Sequence, residues 1–173
     1  EAHISGQNVD VHLNQLYGGQ EKYAVLELDV PSQDAGTVIR VGDVEVTYAN
    51  SVTRTQDRLT SRVQARVSAS KREVAQNIDK GAAAAAVVQE ANGANIRAMK
   101  LRDAGRADEA AAVLYDNAKL LRAKASELNA PELDSMSEVQ KEDAQAVKSS
   151  SWNVFGRKRM RENQYRYSNQ QKK

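Results

Sequence analysis

The chain has 173 residues, no cysteine and a formal net charge of +2. That length can bury a core without staples, and the missing thiols exclude disulfides, thiolate metal sites and a cysteine nucleophile. No stretch approaches the roughly 18 apolar residues of a transmembrane helix, and the near-neutral charge does not point to nucleic acid.

Glu1 to Ser5 lack the features of a signal peptide and start in a strand-like pattern. The expectation is a piece of a longer chain, with any signal or anchor upstream. Val9, Val11 and Leu13 then alternate with polar residues, and Gly18-Gly19 marks a turn. Ala24, Leu26, Leu28 and Val30 alternate until Pro31, and Gln33 to Gly36 signal another turn. Val38 to Tyr48 resumes the two-residue period, with Gly42 marking a bulge or a break. After a polar loop at Ala49 to Asp57, Leu59 to Val67 alternates again. Four strands at regular spacing predict an antiparallel, sandwich-like β unit over residues 1–69.

Ser70-Lys71-Arg72-Glu73 fits a capping box. From there Val74, Ile78, Ala82, Ala85 and Val88 follow at helical spacing, predicting a long helix that ends at Ala104-Gly105-Arg106. A second helix is expected from about Ala107 to Leu128, with Ala110, Ala111, Leu114, Ala118, Leu121, Ala125 and Leu128 as its apolar stripe. The joint resembles that of tetratricopeptide-like hairpins, but it occurs once, so no array is expected. Asn129-Ala130-Pro131 reads as a stop and restart, and Leu133, Met136, Val139, Gln140, Ala144 and Val147 predict a third helix. The expected fold is therefore α+β: the β unit, an α-helical hairpin plus third helix over 70–148, and a linker with a helical, basic tail over 149–173.

Nothing in this pattern carries chemistry. His3 and His12 read as ordinary strand residues, since no converging partners accompany them. There is no phosphate-binding loop, dinucleotide fingerprint or nucleophile elbow. Asp134-Ser135-Met136-Ser137 is explained as a helix opening rather than a cation loop. No catalytic residue, metal site or cofactor is expected. The charge, however, is uneven. From Arg157 to Lys173 there are seven Lys or Arg against one acid, Glu162, so the tail holds a net +6 and the remainder −4. Arg157, Lys158, Arg159 and Arg161, with Tyr165 and Tyr167 interleaved, are candidates for contacting an anionic membrane or cell-wall polymer. Nucleic acid is the less favoured ligand for them. The bland alternative is an amphipathic end that packs Trp152, Phe155 and the tyrosines on the body. Arg62 and Arg66 mark a second candidate face, on the outer side of the sheet.

Gln15-Leu16-Tyr17-Gly18-Gly19-Gln20-Glu21-Lys22-Tyr23 leading into Ala24-Val25-Leu26-Glu27-Leu28-Asp29-Val30-Pro31 resembles the segment that follows the von Willebrand factor A domain in bacterial secreted or surface proteins of the calcium-activated chloride channel-like group. Val44-Glu45-Val46-Thr47-Tyr48, the alanine-rich hairpin with Gly105-Arg106-Ala107-Asp108-Glu109-Ala110, and the close with Arg157-Lys158 and Tyr165 are similar to the same group in the same order. That family's cation site, Asp-x-Ser-x-Ser, has no match here. The resemblance implies a region downstream of the A domain, in an extracytoplasmic protein, with a β unit completed by upstream strands. The function expected is non-enzymatic: an accessory region that supports a ligand-binding domain or assembles with a protein partner, the upstream A domain among the candidates. The alternatives are a free-standing helical scaffold for a partner helix, and an anion-binding tail. The alanine-rich stripe also leaves room for a homodimer.

Overall fold

The computed structural model describes residues 2–149, 152 and 154–169. The α+β order holds, with strands first and helices after them. The strands are β1 (Ala2–Ser5), β2 (Asn8–Val11), β3 (Val38–Asn50) and β4 (Thr55–Arg66); the helices are α1 (Lys71–Asn77), α2 (Lys80–Asp103), α3 (Ala107–Leu128), α4 (Pro131–Lys148) and α5 (Val154–Ser168). By internal contacts the chain divides into two units, residues 1–26 with 79–173, and residues 27–78.

In the first unit, β1 and β2 pair antiparallel from Ala2↔Val11 to Ser5↔Asn8. Gly6, at φ +60°, takes the first central position of the two-residue turn, a backbone state that costs glycine nothing. Four helices form the body of this unit. Asp79 caps α2, its carboxylate accepting from the Ala82 amide at 2.9 Å. Gly105, at φ +79°, closes the end of α2 and lets the chain reverse into α3. Asn129, at φ 55°, ends α3, and Pro131 opens α4 one residue later.

The core is two apolar clusters. One joins Ala84, Val87 and Ala91 of α2 to Leu121, Ala125 and Leu128 of α3 and Leu133 and Met136 of α4. The other joins Ala98 and Met99 of α2 to Ala110, Ala111 and Leu114 of α3, Ala144 and Val147 of α4 and Met160 of α5. Along α2, α3 and α4 a buried polar segment separates the two clusters: Asn92 and Asn95, Asn117, and Ser137, Gln140 and Asp143 respectively. The expected α3 stripe is buried throughout, and the α4 residues Leu133, Met136, Gln140, Ala144 and Val147 are buried as their spacing predicts.

In the second unit, β3 and β4 form an antiparallel ribbon from Val38↔Arg66 to Asn50↔Thr55, with a bulge between Arg40 and Gly42. The Asn50 side chain organises the connecting loop. Its oxygen accepts from the amides of Val52 and Thr53, its amide donates to Asp57, and Arg54 takes the left-handed conformation at φ 59°. The ladder therefore runs further into the 49–57 loop than the polar composition predicts.

Two expectations need correction. The four predicted strands do not form one sandwich-like layer. Among the described residues there are two separate two-stranded sheets, and residues 24–30 belong to neither. Alternation prepares a strand to bury one face, but a ladder also needs a neighbour with free amides and carbonyls, and residues 24–30 pair with none among the described residues. The first long helix is likewise broken. Ser70 caps only the seven-residue α1, Ile78 is extended, and Asp79 starts a new helix. Val74 and Ile78 are consequently exposed, and the buried line on α2 runs through Ala84, Val87, Ala91, Ala98 and Met99. The capping box is half formed. The Ser70 hydroxyl accepts from the Glu73 amide, but the Glu73 carboxylate takes the Ser68 hydroxyl, which in turn accepts from the Ser70 amide.

The helical body should hold most of the stability. Leu114→Ala, at a fully buried position, is expected to cost about 2–5 kcal/mol in urea unfolding followed by helical circular dichroism. Val46→Ala, on the exposed ribbon, should leave that transition in place.

Candidate functional site

The two basic surfaces expected from the sequence are both present, and each is partly committed to internal contacts. On the ribbon, cross-strand partners share a face. Arg58, Arg62 and Arg66 of β4 therefore line one side together with Asp43 and Glu45 of β3. Arg62 pairs with Asp43 at 3.2 Å and Arg58 with Glu45 at 2.5 Å, while Arg66 carries no ion pair among the described residues. All of these groups are solvated, so the pairs contribute little stability.

The opposite side is apolar. Val44, Val46 and Tyr48 of β3 and Leu59 and Val63 of β4 share it, and each is between 42% and 59% exposed. Asp57, at the loop end of this face, is held by the Thr55 hydroxyl at 2.7 Å and the Asn50 amide at 3.0 Å, and these hydrogen bonds lower its pKa. Sequence alternation named these apolar residues correctly as one face. It could not say that the face would be left uncovered.

The basic tail is a helix, α5, whose inner side carries Met160, fully buried, and Tyr167, packed against the first cluster. Two of the four predicted basic residues hold this helix down. Arg157 donates to Asp103 at 2.6 Å, and Arg159 donates to Asp143 at 2.7 Å. Gln164 adds a hydrogen bond to Asn95 at 2.6 Å, and Asn92 donates to the Gln164 carbonyl and the Ser168 hydroxyl. Lys158 and Arg161 point outward without an ion pair among the described residues. Trp152 lies partly buried on the second cluster, with the Arg102 guanidinium 5.8 Å from its ring. Tyr165 is exposed, and Phe155 is 80% exposed rather than packed on the body. The expected serine linker falls largely outside the described residues, as do Lys172 and Lys173.

Asp143 is the one fully buried carboxylate among the described residues. One oxygen accepts from Arg159; the other has no hydrogen-bond partner among the described residues. Burial pushes its pKa up, and the Arg159 hydrogen bond and charge only partly offset that. His3, Asp10 and His12 border an open depression by the β1–β2 hairpin. No group of three or more His, Cys, Asp or Glu among the described residues could hold a metal ion. No described helix is long and apolar enough to cross a membrane. Comparisons with protein-family models, curated proteins and solved structures gave no match.

The buried carboxylate sets a pH dependence with a definite sign. Folded Asp143 holds its proton more tightly than an unfolded aspartate, so protonation favours the folded state. That advantage is full below the ordinary pKa of 3.8 and is lost as pH rises through the raised folded value. Asp143→Asn removes the titration. The melting temperature of the variant relative to the parent should therefore climb as pH rises from below the ordinary aspartate value of 3.8 through the raised folded one. A difference that stays constant with pH would assign the carboxylate no such cost.

Proposed function

We propose that this chain is a non-enzymatic interaction region, in which the helical body is a stable support and the β segments are completed by the surface of another polypeptide. The observation that carries the reading is how unevenly burial is distributed. All 18 buried apolar residues among the described ones lie between Ala84 and Met160. Eighteen of the large apolar residues before Asp79 are exposed, among them Leu26, Leu28, Val30, Val44, Val46, Leu59 and Val63. A two-stranded ribbon is marginal in water without a third strand or a covering layer. Exposed apolar patches of this extent mark interaction surfaces.

The chemistry of the partner follows from the face it must cover. That face is apolar, and the unladdered residues 24–30 keep the same alternation. A β-rich partner offering an apolar sheet face and free strand edges fits both features. The resemblance stated for residues 15–31 supplies a candidate, a von Willebrand factor A-type domain with its accompanying strands, and with it an extracytoplasmic setting. The scaffold alternative has less support, because α4 already covers α3 and α5 already packs on α2.

A photoreactive residue at Val44 tests the reading inside the producing cells. The expected product is a cross-link to an apolar strand of a β-rich domain, identified by peptide mass spectrometry. Adding Val46→Lys and Leu59→Lys should cut its yield about tenfold or more, since the interface would have to bury two charges. The helical melting transition should stay unchanged. Cross-links to helical partners, or none with the parent chain, would overturn the reading.

A further inference from the structure

Residues 24–30 and the β3–β4 ribbon each offer what the other lacks. Leu26, Leu28 and Val30 alternate with Glu27 and Asp29, and the three apolar side chains are 51% to 52% exposed. Among the described residues no backbone hydrogen bond engages this stretch. Both outer edges of the ribbon are likewise unpaired among the described residues, and an open edge is a template for a further strand. The charged side of the ribbon carries Arg40, Arg58, Arg62 and Arg66 against Asp43 and Glu45. Asp43 is shared between Arg40 and Arg62, Glu45 is taken by Arg58, and Arg66 has no ion pair among the described residues. A strand that adds two acids to this side and apolar residues to the other would balance the charge and widen the apolar face. Residues 26–30 have that pattern.

We propose that residues 24–30 of a second copy of this chain pair antiparallel with the outer edge of β4, and that the exchange is mutual. Leu26 opposite Val63 and Val30 opposite Leu59 put Glu27 opposite Arg62, and Asp29 then stands between Arg58 and Arg62. The β3 edge is the poorer site. There the same acids would line up with Asp43 and Glu45, and like charges side by side are destabilising. The chain cannot make this contact with its own ribbon. The Gly36 amide donates to the Val67 carbonyl and the Val67 amide to the Thr37 carbonyl, each at 2.8 Å, which ties the approach to β3 to the end of β4. Val30 opposite Leu59 would stand about 26 Å along the strand from Val67, whereas residues 31–36 reach at most about 22 Å. A second copy has no such limit, and two-fold exchange gives each ribbon a third strand. The inference shares with the proposed function only the premise that the strands are completed from outside, and it concerns an edge rather than the apolar face.

Light scattering of the full chain over a dilution series tests this. The parent should be a dimer that dissociates on dilution. Glu27→Lys with Asp29→Lys should raise the dissociation constant about tenfold or more, since attractive pairs become repulsive at both exchanged strands. Glu132→Lys, on α4, should not. The chain has no cysteine, so Leu26→Cys with Val63→Cys reads the register directly: oxidation should join two chains. The helical melting transition should stay unchanged in the strand variants, because their substitutions lie outside the helices. A monomeric parent, a dimer that ignores the two lysines, or a disulfide closed within one chain would each overturn the proposal. A monomer that still cross-links from Val44 to a different β-rich domain would do so while leaving the proposed function in place.

Discussion

The side-chain oxygen of Gln140 accepts from Asn95 and Asn117, each at 3.2 Å, and so ties α4 to α2 and α3 at one point. Asn117 also donates to the Ala91 carbonyl, and the Asn95 oxygen accepts from Gln164 of α5. Four helices are thereby pinned at one level between two apolar clusters. Alanine-rich faces such as Ala84, Ala91, Ala98, Ala110, Ala111 and Ala118 are small and nearly uniform, and would tolerate sliding by a turn. A buried amide does not, because a shift of one turn would strand its donors at a cost of about 1–3 kcal/mol each. The polar layer sets the register, and the apolar clusters then close on either side of it.

Attachment of α5 depends on that layer. Its hydrogen bonds to Asn92 and Asn95 and its ion pairs to Asp103, Glu142 and Asp143 surround only one fully buried apolar residue, Met160. The helix is therefore held by directional contacts more than by area. Arg159–Asp143 is the costly member, since it buries a carboxylate of which one oxygen finds no partner. A purely apolar contact would hold as well. The ionic one also fixes which side of α5 faces outward, and so where Val154, Phe155, Lys158 and Arg161 are displayed.

The β part follows the opposite logic. Its hydrogen bonds are local, its charged pairs are solvated, and its apolar side chains meet water. The same alternation that would build the inner face of a sandwich here builds a ribbon that stops one layer short of burial. One chain thus combines a closed helical body with strands whose apolar side chains stay exposed, and the proposed interaction role rests on that contrast.

What the sequence alone determined is whatever rests on short-range chemistry. The α+β order, the α2–α3 joint at Gly105, the whole α3 stripe, the Pro131 restart and the bulge near Gly42 were legible, because helix periodicity, caps and turn residues act within a few positions. The basic residues of both candidate surfaces were legible as a list. Tertiary structure decided the rest. Whether residues 24–30 become a strand depends on a neighbour. Which cations remain for a ligand depends on Asp103 and Asp143, more than 50 and about 16 residues away in the chain from the arginines they neutralise. An ion pair is a property of two positions brought together by the fold, and the residue pattern along the chain does not name them.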